Sequence, residues 1–539
     1  MNSSLGTLDW IVLGGYFAIL LGVAWWVVLR KKNKTTEDYF LAGRNIGWFV
    51  IGASIFASNI GSEHVVGLAG TGAESGAPMA HYELHAWIVL LLGWFFLPFY
   101  MRSGAFTMPE FLEKRFDGRS RWFLSIFSIA GYVLTKVSVT IYAGGIVVSQ
   151  LLNIEFLTGA IVTVIVTGLY TILGGMRAVV YTEAVQTVLI LFGSTIITIL
   201  GLREIGGWSE LRATVGSDHF NMWRPSSDPD FPWTGLLFGG TIVGIWYWCT
   251  DQYIVQRTLA AHNIKIGRRG AIFGAYLKLA PIFIFLIPGI IAYGLKLKGI
   301  IHYEKSDQVF PTLVQHLLPA GLKGLVAAGL LAALMSSLAS VFNSASTLFT
   351  VDIFKKMYPA SPEKKLVQTG KVATGIIVVL GMLWIPIMDK IGGGVLYQYL
   401  QNVQAYIAPP ITAVFVIGIL WKRMNAQAAI ATLFYGLLSG TLRIILELMK
   451  DDLGGLGKWY ATVNFSHFAI VNFLVCVLVA VVVSLLTPKP NEEQLKGLTI
   501  GTLSPEQRKA NRESFSKVDV LISIILAAIV ISVLVYFRG

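Results

Sequence analysis

The sequence predicts an all-α integral membrane protein with about fourteen transmembrane helices. Three observations predict it. Of its 539 residues, 55% are hydrophobic and only 13% carry charge, against about 25% charged in a soluble domain. The mean hydropathy is +0.67. Apolar runs of about 20 residues, long enough to cross a bilayer, recur along the whole chain. This composition excludes a disordered chain and an ordinary cytosolic enzyme. The net charge of +12 comes from 42 Lys and Arg against 30 Asp and Glu. In a polytopic chain it records basic cytoplasmic loops rather than nucleic-acid binding. The expected partner is the lipid bilayer, with no nucleic acid.

The expected spans run over about 9–30, 47–72, 80–102, 122–152, 156–175, 183–203, 233–258, 271–298, 322–357, 369–389, 396–420, 426–448, 465–487 and 518–537. The loops after odd-numbered spans are the basic ones. They hold Arg30, Lys31, Lys32, Lys34 and Arg44, then Lys114, Arg115, Arg119 and Arg121, then Lys265, Arg268 and Arg269. That side carries 28 Lys and Arg and the other 11, so the rich side is expected to be cytoplasmic and both termini outside the cell membrane. No cleavable signal peptide is expected, because the first run is followed by a basic cluster. Residues 204–232 and 299–321 are outer loops; the first, with Trp208 and Trp223, suits short interfacial helices. Cys249 and Cys476 lie inside apolar runs, so no disulfide framework is expected.

The second span is disturbed. From Gly52 to Gly70, ten of nineteen residues are Gly, Ala or Ser, and the centre reads Ala57-Ser58-Asn59-Ile60-Gly61-Ser62-Glu63-His64. Small residues serve close helix packing, but Asn, Glu and His at mid-span need a cavity or a partner. The seventh span has Gly239-Gly240 and then Trp246-Tyr247-Trp248-Cys249-Thr250-Asp251-Gln252, which predicts a break. Interrupted helices at matching positions of two halves point to a transporter site inside an inverted repeat. The chain therefore divides into an extra helix with its basic loop (1–46), a first five-helix repeat (47–203), an outer loop (204–232), a second repeat (233–420), and three further helices (421–539) with a cytoplasmic linker at about 488–517.

In the ninth span Ser336, Ser340, Asn343 and Thr347 share one helical face. Such hydroxyls either bond back to the preceding turn or, beside a broken helix, serve a hard cation. Lys136 reads equally as a snorkelling lysine or one with a role. Glu83 reads as a first-turn carboxylate or as a site residue, and Lys278 lies in a deep apolar run. Gln398, Gln401, Asn402 and Gln404 precede Pro409-Pro410; amides in a span suit a neutral, hydroxyl-rich solute. There is no Walker-type phosphate loop and no zinc-spaced Cys/His cluster, and of eight histidines only His64 is central to a disturbed span.

The second-span motif resembles the sodium/solute symporter family, most closely its sodium–glucose cotransporter branch. So do Gly174-Gly175-Met176-Arg177-Ala178-Val179-Val180-Tyr181-Thr182-Glu183, the stretch from Trp246 to Arg257, the stretch from Ser336 to Thr347, and Trp421-Lys422-Arg423. The likeness runs over about 35–490. It implies the leucine-transporter-type five-plus-five inverted repeat, with broken helices 2 and 7. It implies a Na⁺ site made of the carbonyls of Ala57, Ile60 and Ala333 and the hydroxyls of Ser336 and Ser337. It implies sugar contacts at Asn59, His64, Glu83, Tyr247, Trp248, Lys278 and Gln401, with Tyr247 as inner gate and Tyr132 on the outer side of the pocket.

Three positions depart from the family pattern. Gly244 stands where the sugar branch often has a polar residue, Glu183 where the family has Asp, and Ala339 where members with a second sodium site have a hydroxyl. The first bears on which sugar is taken, the others on stoichiometry. The expected function is symport of Na⁺ with a neutral sugar by alternating access, with no organic cofactor and no need of an oligomer. Transport of myo-inositol or another polyol is the alternative; a channel or solute sensor is a more distant one. No nucleophile–base pair or metal cluster argues for an enzyme.

Overall fold

The computed structural model describes residues 5–30, 34–391 and 396–539. Those residues are almost wholly helical, and two isolated bridges, Ile46 with Ala261 and Asn221 with Arg538, are the extended pairings recorded among them. The long elements are α1 (Thr7–Arg30), α2 (Trp48–Asn59), α3 (Ser62–Glu74), α4 (Ala80–Ser103), α5 (Gly118–Gly131), α6 (Ser138–Leu152), α7 (Phe156–Ile205) and α8 (Gly235–Thr250). They continue with α9 (Gln252–Leu259), α10 (Ile264–Leu297), α11 (Leu322–Met357), α12 (Glu363–Ile391), α13 (Leu396–Leu420), α14 (Ala426–Leu448), α15 (Phe465–Leu486) and α16 (Lys517–Tyr536). A π-helical turn, Tyr132–Val137, joins α5 to α6.

Eleven helices among the described residues are long and apolar enough to cross a membrane, or twelve with α2 and α3 as one bent span. The fourteen expected differ from this in two places. The 50-residue α7 would be about 75 Å long, more than twice a bilayer core. It turns at Gly175 (φ 59, ψ −155), the gap expected between spans five and six. The seventh expected span is divided between α8 and α9, each too short to count alone.

Both expected breaks are present. Between α2 and α3 the chain is extended at Ile60 (φ −84, ψ 96), and the two helices are bent by 60°. Between α8 and α9, Asp251 is extended (φ −81, ψ 129) and its carboxylate accepts from the Tyr253 amide, an N-cap that starts the second half.

Burial sets the layers. In its most apolar window α11 is 94% buried, whereas α1, α15 and α16 are only 28%, 28% and 22% buried. The last three are peripheral, with apolar faces turned outward as a bilayer requires. Both halves of the broken span approach α10 closely at glycines. A methyl group on Gly52 would stand 2.8 Å from the Gly270 carbonyl oxygen, and one on Gly289 would stand 2.1 Å from that of Ala69. In the loops, Trp208–Val215 forms the short helix expected there. Val309–Leu317 and Met108–Arg115 are helices that the sequence reading treats as loop. Cys249 and Cys476 are free and buried.

Candidate functional site

Where α2 ends, its last carbonyls lose their helical partners, and α11 fills the gap with serines. Ser336 Oγ lies 2.8 Å from the Ala57 carbonyl oxygen and 2.9 Å from that of Ala333. Three of the five expected cation ligands thus meet. Ser337 Oγ donates instead to the Ser58 carbonyl at 3.1 Å, which also accepts from the Tyr253 hydroxyl. Ile60 sits fully buried at the break. All these oxygens are neutral, the kind of donor that suits a hard cation.

Next to them lies a charged cluster. The Glu183 carboxylate accepts from Ser54 and Ser340, from Ser58 Oγ at 3.1 Å and from Arg257 Nη2 at 3.4 Å. Arg257 Nε donates to Ser58 Oγ at 2.7 Å. Glu183 and Arg257 are both inaccessible to solvent, so each charge is balanced where it is buried.

A small cavity opens between the two breaks. Asn59, His64, Tyr247, Trp248, Lys278 and Gln401 line it, six of the seven residues expected to touch solute. Asn59 Nδ2 and His64 Nε2 are 3.2 Å apart. Glu83 does not line the cavity. It stands behind Lys278, whose Nζ donates to its carboxylate at 2.5 Å while lying over the Trp248 ring, 5.3 Å from the centroid. The side chain of Gln398 lies outside the described residues.

Among the other lining side chains, Tyr82 and His85 are not singled out by the sequence reading, which names Gln404 among the amides and leaves Lys136 open between snorkelling and a role. Tyr82 and His85 flank Glu83, three residues apart. That spacing was the available signal, hidden because His85 lies in an otherwise ordinary span. Lys136 does not snorkel. It is 5% exposed, donates to the Tyr247 hydroxyl at 2.8 Å, and lies 4.6 and 4.4 Å from the ring centroids of Tyr247 and Tyr253.

A second cavity shares Lys136, Tyr247 and Gln404 with the first and adds Tyr132 and Asp251. The Tyr132 hydroxyl donates to the Asp251 carboxylate. Tyr132 precedes Lys136 on the helix that starts at Gly118, and Asp251 follows Tyr247 toward Leu259. Tyr132 therefore belongs to the face of Tyr247 that looks toward the basic loops, not to the outer side the resemblance implied.

Among known proteins, the model of the Sodium:solute symporter family matches residues 39–436. The Sodium/myo-inositol cotransporter 2 of Bos taurus is 39% identical over 528 residues, 91% of this chain and 78% of that protein. The Sodium/glucose cotransporter 1 of Oryctolagus cuniculus is 39% identical over 514 residues, 88% of this chain and 78% of that protein. A solved Na⁺-coupled sialic acid symporter, in a substrate-bound outward-open state, aligns with a TM-score of 0.78 at 24% identity, over 90% of this chain and 99% of that one. That likeness carries the fold, which is of the leucine-transporter type.

Proposed function

The chain belongs to the sodium:solute symporter family, and from that premise we propose that it imports a neutral, polyhydroxylated cyclic solute together with Na⁺. It is a multi-pass membrane transporter, not an enzyme. The observation that carries the reading is the meeting of Ser336 with the Ala57 carbonyl at 2.8 Å, beside a cavity lined by amides, a lysine and an indole. A cation held there draws the end of α2 to α11. In the adjoining cavity, Asn59 and Gln401 each offer donor and acceptor to hydroxyls, Lys278 donates, and the Trp248 plane covers the apolar face of a ring. Tyr247, tied by Lys136, closes the path toward the second cavity.

The solute is a hexose such as glucose or galactose, or equally myo-inositol, since a curated relative of each name has the same identity to this chain. The sodium ligands are Ala57, Ile60, Ala333, Ser336 and Ser337. The solute contacts are Asn59, His64, Tyr247, Trp248, Lys278 and Gln401, with Glu83 acting through Lys278. The two repeats are 47–203 and 233–420, with 1–46 and 421–539 as additions. The charge asymmetry of the loops puts both termini outside the cell membrane.

Reconstituted proteoliposomes test this. Uptake of labelled D-glucose, D-galactose and myo-inositol is measured with an inward Na⁺ gradient and with choline in its place. Na⁺-dependent, saturable uptake with counterflow of at least one of them is expected. Flux that neither saturates nor shows counterflow would identify a channel instead, and uptake indifferent to Na⁺ would remove the ion assignment.

A further inference from the structure

His85 is buried in α4, only 6% exposed, yet its imidazole forms part of the cavity wall. Its place is made by the opposite helix. Gly240 and Gly244 lie four residues apart on one face of α8. A methyl group on Gly244 would stand 2.8 Å from His85 Nδ1, and one on Gly240 would stand 3.6 Å from Nε2. The ring and the Ile88 Cδ1 methyl, 2.5 Å from the same point, together occupy the room that a side chain at 244 would fill. Tyr82 holds it from behind, with ring centroids 5.3 Å apart at 62°. The buried Tyr82 hydroxyl also lines the cavity and has no hydrogen-bond partner among the described residues, and the same is true of Gln401 Oε1. Buried polar groups left in this state need a partner supplied from the cavity.

We propose that His85, seated on the glycine face of α8 beside Tyr82, is a specificity-determining residue that reads one hydroxyl of the transported solute. The proposal rests on the reading of the cavity as a site for a neutral sugar or cyclic polyol. A neutral imidazole carries one donor and one acceptor, so it satisfies both roles of a single hydroxyl. A site built to bond a hydroxyl rejects the analogue that lacks it far more strongly than an apolar wall rejects an added group.

The test is competition against uptake of labelled D-glucose or myo-inositol, whichever the wild type carries, by the full set of its single-deoxy analogues. The wild type should discriminate against one analogue by about tenfold or more. His85→Ala should abolish that one ratio and leave the others. Gly244→Ser, which pushes the ring aside, should lower the same ratio, and His85→Gln, which keeps a donor and an acceptor, should retain much of it. Na⁺-dependent thermal stabilisation without solute shows that each variant is folded. If folded His85→Ala keeps every wild-type ratio, or loses all of them equally, the proposal is overturned while the transport reading stands. If His85→Ala does not fold, unchanged ratios in folded Gly244→Ser and His85→Gln overturn it, and a matched change in Gly244→Ser alone supports it. A wild type that carries no neutral sugar or cyclic polyol overturns the underlying reading and this proposal with it.

Discussion

The Ser336 hydroxyl faces two main-chain carbonyls and has one proton to give, so a cation there would gain an oxygen lone pair and two carbonyl dipoles at once. Ser336→Ala should raise the Na⁺ concentration for half-maximal uptake about five- to hundredfold, from a contact of ~1–3 kcal/mol. Na⁺ activation curves that coincide with the wild type would remove the residue from the site. Lys278 and Glu83 call for a different experiment, because the pair is buried and removing one member leaves a bare charge, at a cost of about 3–5 kcal/mol. Glu83→Gln alone should lower both thermal stability and solute affinity. Adding Lys278→Met should restore most of the stability but not the uptake, since the lysine is lost to the solute. A double variant as unstable as the single one would show that the pair's role is something other than charge balance.

The helix breaks were legible in the sequence because glycine, asparagine and aspartate in an apolar run contradict an uninterrupted span. The Lys136–Tyr247 contact between the cavities is less so. Lys136 and Tyr247 are 111 residues apart, and periodicity says nothing of which side chains meet across helices. The meetings of Tyr132 with Asp251 and of His85 with the glycines of α8 are illegible for the same reason, because each joins separate helices. Tyr247→Phe keeps the ring and removes the hydroxyl to which Lys136 donates. A hydrogen bond from a charged group contributes about 1.5–3 kcal/mol, so solute release toward the basic-loop side should quicken roughly ten- to hundredfold in efflux from preloaded vesicles; slower efflux would contradict a gate. Within α7, Gly175 needs φ 59, and a methyl group there would stand 2.5 Å from the Tyr39 carbonyl oxygen. Both the conformation and the close approach exclude a side chain. Gly175→Ala should sharply reduce folded yield in detergent, measured by size-exclusion chromatography, and a normal yield would show that the turn tolerates rearrangement.

For the whole transporter, the expected stoichiometry is one Na⁺ per solute. The Glu183 carboxylate is already shared among three serine hydroxyls and Arg257, and Ala339 brings no side-chain oxygen to a second ion. One Na⁺ crossing about 100 mV releases ~2.3 kcal/mol, and a tenfold gradient adds about 1.4 kcal/mol. Together they sustain roughly 500-fold accumulation, and a second ion would square that limit. Reversal potentials in proteoliposomes should return a ratio near one; a ratio near two would make Glu183 a ligand. The glycine contacts of α2 and α3 with α10 have a mechanical consequence. Where the two backbones approach this closely no added side chain fits, so these glycines hold both halves of the broken span against α10. Against α11, by contrast, α2 is tied by hydroxyl-to-carbonyl contacts that can part and re-form. A hinge between α2 and α11 would have the oxygens of Ala57 on one side and of Ala333 and Ser336 on the other. An ion seated there would act as a removable pin through that hinge, so ion binding and the coupling motion would share one part of the machine.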